Sequence, residues 1–441
     1  MSTSERKFRV VVVGGGPAGL CLAHSLTLAG IDYVLLEGRD AVVEDTGLGL
    51  ALWPHCVRIL DQFGLLEEAR ESYLPVYDKY NHRSDGSEIT HTELNREIEK
   101  SHGHPWMLFR RQKLLELLHS RLPEQDSRIL LGKKVVSIDT HPNGVTVHCS
   151  DSTIEEGSIV VGCDGIHSSV RRIMRDLMLK ASVKVTDSES PMVAQYQMLA
   201  VHIDPLPDME AGRLWETRYD KKNIQVFMLK DQGWIHAYRR LPTPISKPTR
   251  QTEEDAVSFA TSLMDFQITE DKKFSNLWPV RKWFRLLNLE EGSIHSWHWD
   301  RIVLLGDSVH KMTPNSGIGL NQGWQGVASL TNILHKLLET NVAPNTQTLD
   351  KAFAEYKAKT EWMAKNSMRL SSLYTRITAW HNAFYKAADY LGPYLGGDLL
   401  IFKLLASPIV KKGIVVDFVP ERGLPAANIE WDNKAPAEHI D

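Results

Sequence analysis

Three glycines, Gly14, Gly16 and Gly19, follow the apolar run Val10-Val-Val-Val13, and an acid, Glu37, closes the next apolar run, Tyr33-Val-Leu-Leu36. That pattern suits the binding of a dinucleotide. Gly14 permits a sharp turn, Gly16 lets bare backbone approach a pyrophosphate, and Gly19 lets a helix pack closely on the strand. The helix opening at Pro17-Ala18 offers free N–H groups and partial positive charge to phosphate, which brings Ala18 into the same contact. Glu37 stands about 20 residues on, where a carboxylate accepts hydrogen bonds from a ribose. Glycines alone also make plain structural turns; glycines, strand and acid together point to binding.

Two later segments could do chemistry with this one. In Cys163-Asp-Gly-Ile-His-Ser-Ser-Val-Arg171 the Asp164-Gly165 pair ends an apolar strand, Ser168 can cap the next helix, and Arg171 offers a charge to anchor it. In Leu304-Leu-Gly-Asp307 through Asn321, Asp307 ends a buried strand where a carboxylate can hold a polyol hydroxyl. Pro314, Gly317 and Gly319 let backbone approach a flat ring, and the helix after Gly319 points its positive end at that ring. Tyr196, in Gln195-Tyr-Gln197, is a candidate cavity-facing proton donor, against the simpler reading of a packed sheet tyrosine. Trp234, His236 and Tyr238 share one strand face, which reads first as packing.

The elements that position these residues come from periodicity. Residues 8–37 read as a β-α-β unit, Leu52 to Gly64 as a helix starting near Pro54, and Arg110 to Leu122 as a helix with leucines at 114, 115, 117, 118 and 122. Two short alternating segments flank Ser84-Asp-Gly86. Residues 128–131, 134–138, 144–148 and 158–162 read as one small antiparallel set. Strand patterns return over 183–240, a helix over roughly 252–267, a buried strand at Arg301 to Asp307, and long helices over 317–338 and 350–375. The chain has 441 residues with 42% hydrophobic and 24% charged content, ordinary for a globular protein of two or three domains. Its 51 basic and 55 acidic residues give −4, which argues against nucleic acid as a partner. The four cysteines, Cys21, Cys56, Cys149 and Cys163, form no C-x-x-C or metal-ligand grouping and suit a reducing compartment. No apolar signal-like segment precedes the first strand, and no apolar run reaches the ~18 residues that span a bilayer. A cytoplasmic protein is expected, with residues 399–419 either packed on the enzyme or resting on a lipid surface.

The three motifs in this order resemble the single-component FAD monooxygenases, the group A flavoprotein hydroxylases. Leu52-Trp-Pro-His, Arg58-Ile-Leu-Asp-Gln-Phe-Gly64 and Phe109-Arg-Arg-Gln-Lys-Leu-Leu115 are similar to the fungal branch that epoxidises prenylated or polyene intermediates of secondary metabolism. The resemblance implies an α/β fold: a Rossmann-like FAD-binding domain of glutathione-reductase type (1–75, 108–175 and 296–340), an inserted β-rich substrate domain (76–107 and 176–295) and a C-terminal helical region (341–441). It implies that Glu37 binds the adenosine ribose, that Arg111, with Arg110 as the alternative, reaches the pyrophosphate, and that Asp307 holds the ribityl chain. Asp164, Pro314 and Gly319 join the cofactor contacts, and Leu320 and Asn321 bring backbone near the flavin pyrimidine. Ala51 stands where the family usually has glycine close to FAD. With a single G-x-G-x-x-G, the resemblance implies transient docking of NADPH as reductant of a non-covalent, mobile flavin. The implied reaction transfers one atom of O2 to a hydrophobic small molecule, by alkene epoxidation or, on the same scaffold, aromatic hydroxylation. An oxygen-independent flavin reductase is the rival from a different reaction class. No metal site is expected, and oligomeric state is not legible.

Overall fold

The computed structural model describes residues 7–44, 49–247, 249–422 and 424–436. Its first sheet has six strands in the order His298–Trp299, Ile302–Leu304, Ile159–Gly162, Arg9–Val13, Asp32–Leu36 and Ile129–Leu130. All neighbours pair in parallel except the edge strand His298–Trp299. Val10, Val11 and Val12 are wholly buried, so the run is apolar rather than alternating. The helices Pro17–Leu28 and Gly319–Thr340 pack on this sheet and on each other.

Two expected strands belong elsewhere than in the small antiparallel set. That set is Val135–His141, Gly144–Cys149 and Ile154–Gly157, whereas Ile129–Leu130 and Ile159–Gly162 join the parallel sheet. The reason is burial. Ile159, Val160 and Val161 have no exposed surface, and Val10 pairs with Ile159. Four consecutive buried residues do not fit the half-wet set beside them.

The second large sheet has eight strands and draws on distant parts of the chain. Asp78–His82 and Glu88–Thr92, the segments around Ser84-Asp-Gly86, form one edge beside Arg213–Tyr219. Lys222–Met228, Gly233–Ile245, Val193–Ile203 and Arg281–Ser293 continue across it to His310–Lys311 at the far edge. One face is closed by Phe259, Phe274 and Leu277 against Leu199, Val226 and Ile235. The other face carries Lys79, Glu216, Gln225, Trp234 and Tyr238, and it looks toward the nucleotide-binding half.

The 33-residue helix Thr346–Thr378 and the shorter helices up to Ser407–Val410 close over that face. The chain beyond Val410 then crosses back to the first half. Arg58, fully buried, donates to both carboxylate oxygens of Glu421 (2.6 and 2.7 Å) and stacks on Trp431. Gln62 donates to the carbonyls of Val416 and Val419.

Candidate active site

The glycine turn behaves as its spacing requires. Gly14 has φ +106°, and a Cβ there would lie 2.7 Å from the Cys163 carbonyl oxygen. A Cβ on Gly19 would lie 1.9 Å from the Gly14 oxygen, so helix and turn touch backbone to backbone. A Cβ on Gly16 would meet nothing within 4 Å. Gly16 also caps the helix Pro17–Leu28 without a side-chain bond. The first N–H groups of that helix thus open on a cradle of bare backbone, which is the shape and charge a pyrophosphate needs.

Glu37 lies beside the cradle, buried. Its Oε2 accepts from the Gly15 N–H (2.7 Å) and its Oε1 from the Arg39 N–H (3.0 Å) and Nε (2.9 Å). Burial pushes its carboxyl upward, but the Arg39 guanidinium and the Gly15 N–H outweigh that and hold it below the ordinary value. Arg111 begins the helix Arg111–Ser120 with its Nη1 buried and without a hydrogen-bond partner among the described residues. Burial and the nearby Arg39 charge lower its affinity for the proton, with Glu44 and Glu37 opposing. A buried guanidinium N–H without an acceptor is costly, and an anionic ligand supplies the acceptor. Arg110 precedes it as helix cap, its backbone paired with Gly49 in the two-stranded ladder of Gly49–Leu52 with Met107–Arg110.

Asp164 caps the helix that follows it. Ser168 Oγ donates to its Oδ1 (2.5 Å), and the Ser169 and Val170 N–H groups donate to its Oδ2 (2.7 and 3.1 Å). The carboxylate thus holds the N-terminus of the helix Ser169–Lys180. Arg171 donates to the carbonyls of Ser308 (2.9 Å) and Ile166 (2.5 Å), tying this motif to the third one.

In that third motif Gly306 abuts Ala18 and Gly323, where a Cβ would stand in ordinary contact with the Ala18 Cβ at 3.5 Å, and its φ of +61° is what favours glycine. Asp307 is half-buried and accepts from Lys311 through Oδ2. Pro314 starts a short 3-10 turn that ends at Gly317, whose φ is +62°. A Cβ there would press on the Ala51 Cβ at 3.1 Å and the Trp106 indole at 3.4 Å. The helix Gly319–Thr340 opens next with no side-chain cap and with Leu320 packed on the core. Asn321 is buried and fully used: its Oδ1 accepts from the Trp53 N–H (2.8 Å), and its Nδ2 donates to the Ala51 (3.0 Å) and Gly317 (2.9 Å) carbonyls. Its side chain fastens the loop to the Ala51 strand, which leaves its backbone N–H as the group free for a ligand.

Over this loop lies a cavity of about 100 Å³. Trp53, Trp106, Leu214, Phe227, Ile401 and Phe402 make its apolar wall, and Asn315 and Ser316 come from the loop itself. Asn315 Oδ1 accepts from Thr375 Oγ1 (3.0 Å), while its Nδ2 and the Ser316 hydroxyl are buried without partners. One wall is ionic. Lys79 Nζ lies 2.7 Å from both Asp398 Oδ2 and Glu216 Oε2 and donates to the Tyr374 hydroxyl. Tyr374 in turn donates to Glu216 (2.7 Å), and Gln225 Nε2 donates to its other oxygen (2.8 Å). The Asp398 and Glu216 carboxyls are raised by burial but held low by Lys79 and Arg218, while Lys79 is depressed by burial yet raised overall by its two acids. All three stay charged at neutral pH. Local spacing gives no hint of this network, because its lining members lie at 79, 225, 374 and 398, with Glu216 behind them.

Tyr196 is not on the cavity wall. The long helix ends above it, and its hydroxyl lies 2.6 Å from His381 Nδ1, among Met198, Leu289 and Ala379. Of its neighbours on the face, Trp234 packs under Gly49 and Tyr238 donates to Gln225 (3.2 Å). Burial lowers His236 to a pKa of about 4, so it is neutral.

The FAD binding domain family matches residues 7–367. The FAD-dependent monooxygenase srdH of Neurospora crassa is 32% identical over 97% of this chain and 99% of its own length. The FAD-dependent monooxygenase ausM of Penicillium brasilianum is 33% identical over 90% of this chain and 84% of its own. Among solved structures, Klebsiella pneumoniae HpxO complexed with FAD and uric acid superposes with a TM-score of 0.71 at 17% identity, over 91% of this chain and 97% of that one. The Diels-Alderase PyrE3 gives 0.68 at 21%, over 93% and 82%. The open cradle at Gly16 and the unpartnered Arg111 fit the dinucleotide half of FAD, and the chain belongs to the FAD binding domain family, as a flavoprotein monooxygenase related to those of fungal secondary metabolism.

Proposed function

We propose that the protein uses NADPH and O2 to epoxidise an alkene of a hydrophobic small molecule made in fungal secondary metabolism. The observation that carries the reading is the cavity against the Pro314–Gly317 loop. Its wall is mostly aromatic and aliphatic, and its titratable groups, Lys79, Tyr374 and Asp398, are locked in ion pairs and hydrogen bonds. Hydroxylation of a phenol draws on a base that takes the ring hydroxyl's proton. Among the described residues the cavity offers no base free for that task, whereas an alkene needs none.

The bound FAD supplies the redox chemistry and activates oxygen. The chain's own residues hold it. Gly16, Ala18 and Gly19 present the helix N-terminus to the pyrophosphate, and Arg111 gives the charge opposite. Glu37, kept ionised by Arg39, accepts from the adenosine ribose. Asp307 keeps Oδ1 for a ribityl hydroxyl while Oδ2 holds Lys311. The N–H groups of Gly319, Leu320 and Asn321 lie at the positive end of a 22-residue helix and stabilise negative charge on the pyrimidine side. Trp53, Trp106 and Phe227 keep water out.

The test is NADPH oxidation with prenylated or polyene substrates under labelled O2. One labelled oxygen per product, in an epoxide, with matching oxygen uptake is the expected result. Label in a phenol would replace epoxidation by aromatic hydroxylation, and reduced product without oxygen uptake would leave a reductase. Asp307→Ala should emerge colourless while wild type is yellow; full flavin content in the variant would remove Asp307 from the cofactor contacts.

A further inference from the structure

The helices after Thr378 bury one side and leave the other bare. Along Ala383–Leu391, the 3-10 turn Gly392–Leu395 and Gly397–Ile401 with its continuation to Val410, the inward residues include Ile401, Phe402, Ala406 and Ile409. Outward stand Phe384, 73% exposed, Tyr394, 86% exposed, and Leu391, Leu395, Leu404 and Leu405. Large apolar groups are otherwise scattered singly over the surface, which needs no explanation; here they concentrate within one short segment, which does. Among the described residues no single helix is long and apolar enough to cross a membrane, and the two halves of this pair meet at 94°. Such a pair can lie along a surface.

Charge decides what kind of surface. The acids of this segment, Asp389 and Asp398, both turn inward, to Arg218 (2.8 Å) and Lys79 (2.7 Å). Its exposed ions are Lys386, over the Trp380 ring, and Lys403, 3.5 Å from Glu97 on the neighbouring helix. An outer face of tyrosines, leucines and lysines, with its own carboxylates withdrawn, matches the interface of a lipid leaflet carrying anionic headgroups. The face also leads inward. A second cavity, of about 170 Å³, is bounded by Gly392, Pro393, Leu395 and Leu400 beneath it, and it shares Tyr374, Asp398 and Ile401 with the cavity over the Pro314–Gly317 loop. The value of that passage depends on the inner cavity being the substrate site; the charge and exposure of the outer face do not.

We propose that the outer face of residues 384–405 docks the protein peripherally on an anionic lipid surface. The experiment is flotation of the FAD-loaded protein with phosphatidylcholine vesicles that contain or lack phosphatidylserine. Its readout involves no turnover, so it stands or falls apart from the epoxidase reading. Wild type should float with the phosphatidylserine vesicles, less with phosphatidylcholine alone, and less again in high salt. The triple variant Tyr394→Ser, Leu395→Ser, Leu404→Ser should bind about tenfold more weakly or worse, since it removes three large apolar contacts, with flavin absorbance unchanged. Lys386→Glu with Lys403→Glu, which removes no large apolar side chain from the face, should abolish the preference for phosphatidylserine. Wild type remaining lipid-free with both vesicles overturns the proposal. So does a triple variant that floats as wild type does. A wild-type dimer that the triple substitution dissociates, with no vesicle binding, assigns the face to a second copy instead.

Discussion

The nucleotide turn and the ionic wall of the cavity are both crowded and buried, yet they are built by opposite means. The turn is backbone against backbone within residues 9–37 and the loops that abut it, and its tolerances are set by missing Cβ atoms. The wall is side chain against side chain, with Lys79 on an edge-proximal strand, Glu216 on its neighbour, Tyr374 on the long helix and Asp398 on the bent pair. The first kind of site is lost by adding an atom, the second by removing a charge. Flavin binding should therefore depend on the first region, and the closure of the C-terminal helices over the cavity on the second.

The largest effect tests the turn. Gly19→Ala puts a methyl carbon where the Gly14 oxygen already lies, 1.9 Å away, and both are backbone-fixed. We expect loss of soluble, flavin-loaded protein, measured as yield and absorbance of the purified fraction. A yellow Gly19→Ala protein of normal yield would mean the turn can relax, and the contrast between the regions would fail.

Next comes the wall. Lys79→Met leaves Glu216 and Asp398 buried without their ammonium, and breaking such a pair from one side costs about 3–5 kcal/mol. A lowered melting temperature is expected, with flavin still bound because no cofactor contact is touched. Adding Asp398→Asn should recover part of the loss, since Gln225 and Tyr374 still donate to Glu216. A double variant no more stable than the single would show that Asp398 and Lys79 do not act as a pair.

The same difference explains how legible each region is in the sequence. The glycines, Glu37, Asp307 and the Pro314–Asn321 loop announce themselves because local spacing is the mechanism there. Asp164 is visible as a motif, but its capping of Ser169 and Val170 is not, since a carboxylate at a strand end serves a ligand or a helix equally well. Ile159–Gly162 reads as part of the wrong sheet because a short apolar run does not say which strands flank it. Lys79, Glu216, Tyr374 and Asp398 give no signal at all: each is an ordinary surface-type residue until the tertiary fold brings it beside the others.

Acid should also divide the regions. Burial lowers His55 to a pKa of about 3 and His82, His102, His104 and His236 to about 4, from an ordinary 6.5. A histidine depressed in the folded state takes up its proton more readily when unfolded, so stability is present above about pH 6.5 and falls as pH drops toward 4. His102 shares a hydrogen bond with Ser407 (3.1 Å) and packs on Trp431, so protonation loosens the C-terminal chain. Limited proteolysis at falling pH should cut near residues 407–431 before flavin is released. Simultaneous loss of both would mean one cooperative unit.

The smallest effect concerns Tyr196, a plausible proton donor by position on its strand. Its hydroxyl is spent on His381, and burial pushes the phenol well above its ordinary value, so it is a poor acid where it stands. Tyr196→Phe removes one buried hydrogen bond and should cost about 1 kcal/mol of stability. The loss falls where the long helix meets the sheet, outside the cavity lining, so NADPH oxidation coupled to product should run at the wild-type rate. Slowed turnover with unchanged flavin content and stability would bring Tyr196 into the chemistry, and would mean that the helix end moves aside to let substrate reach it.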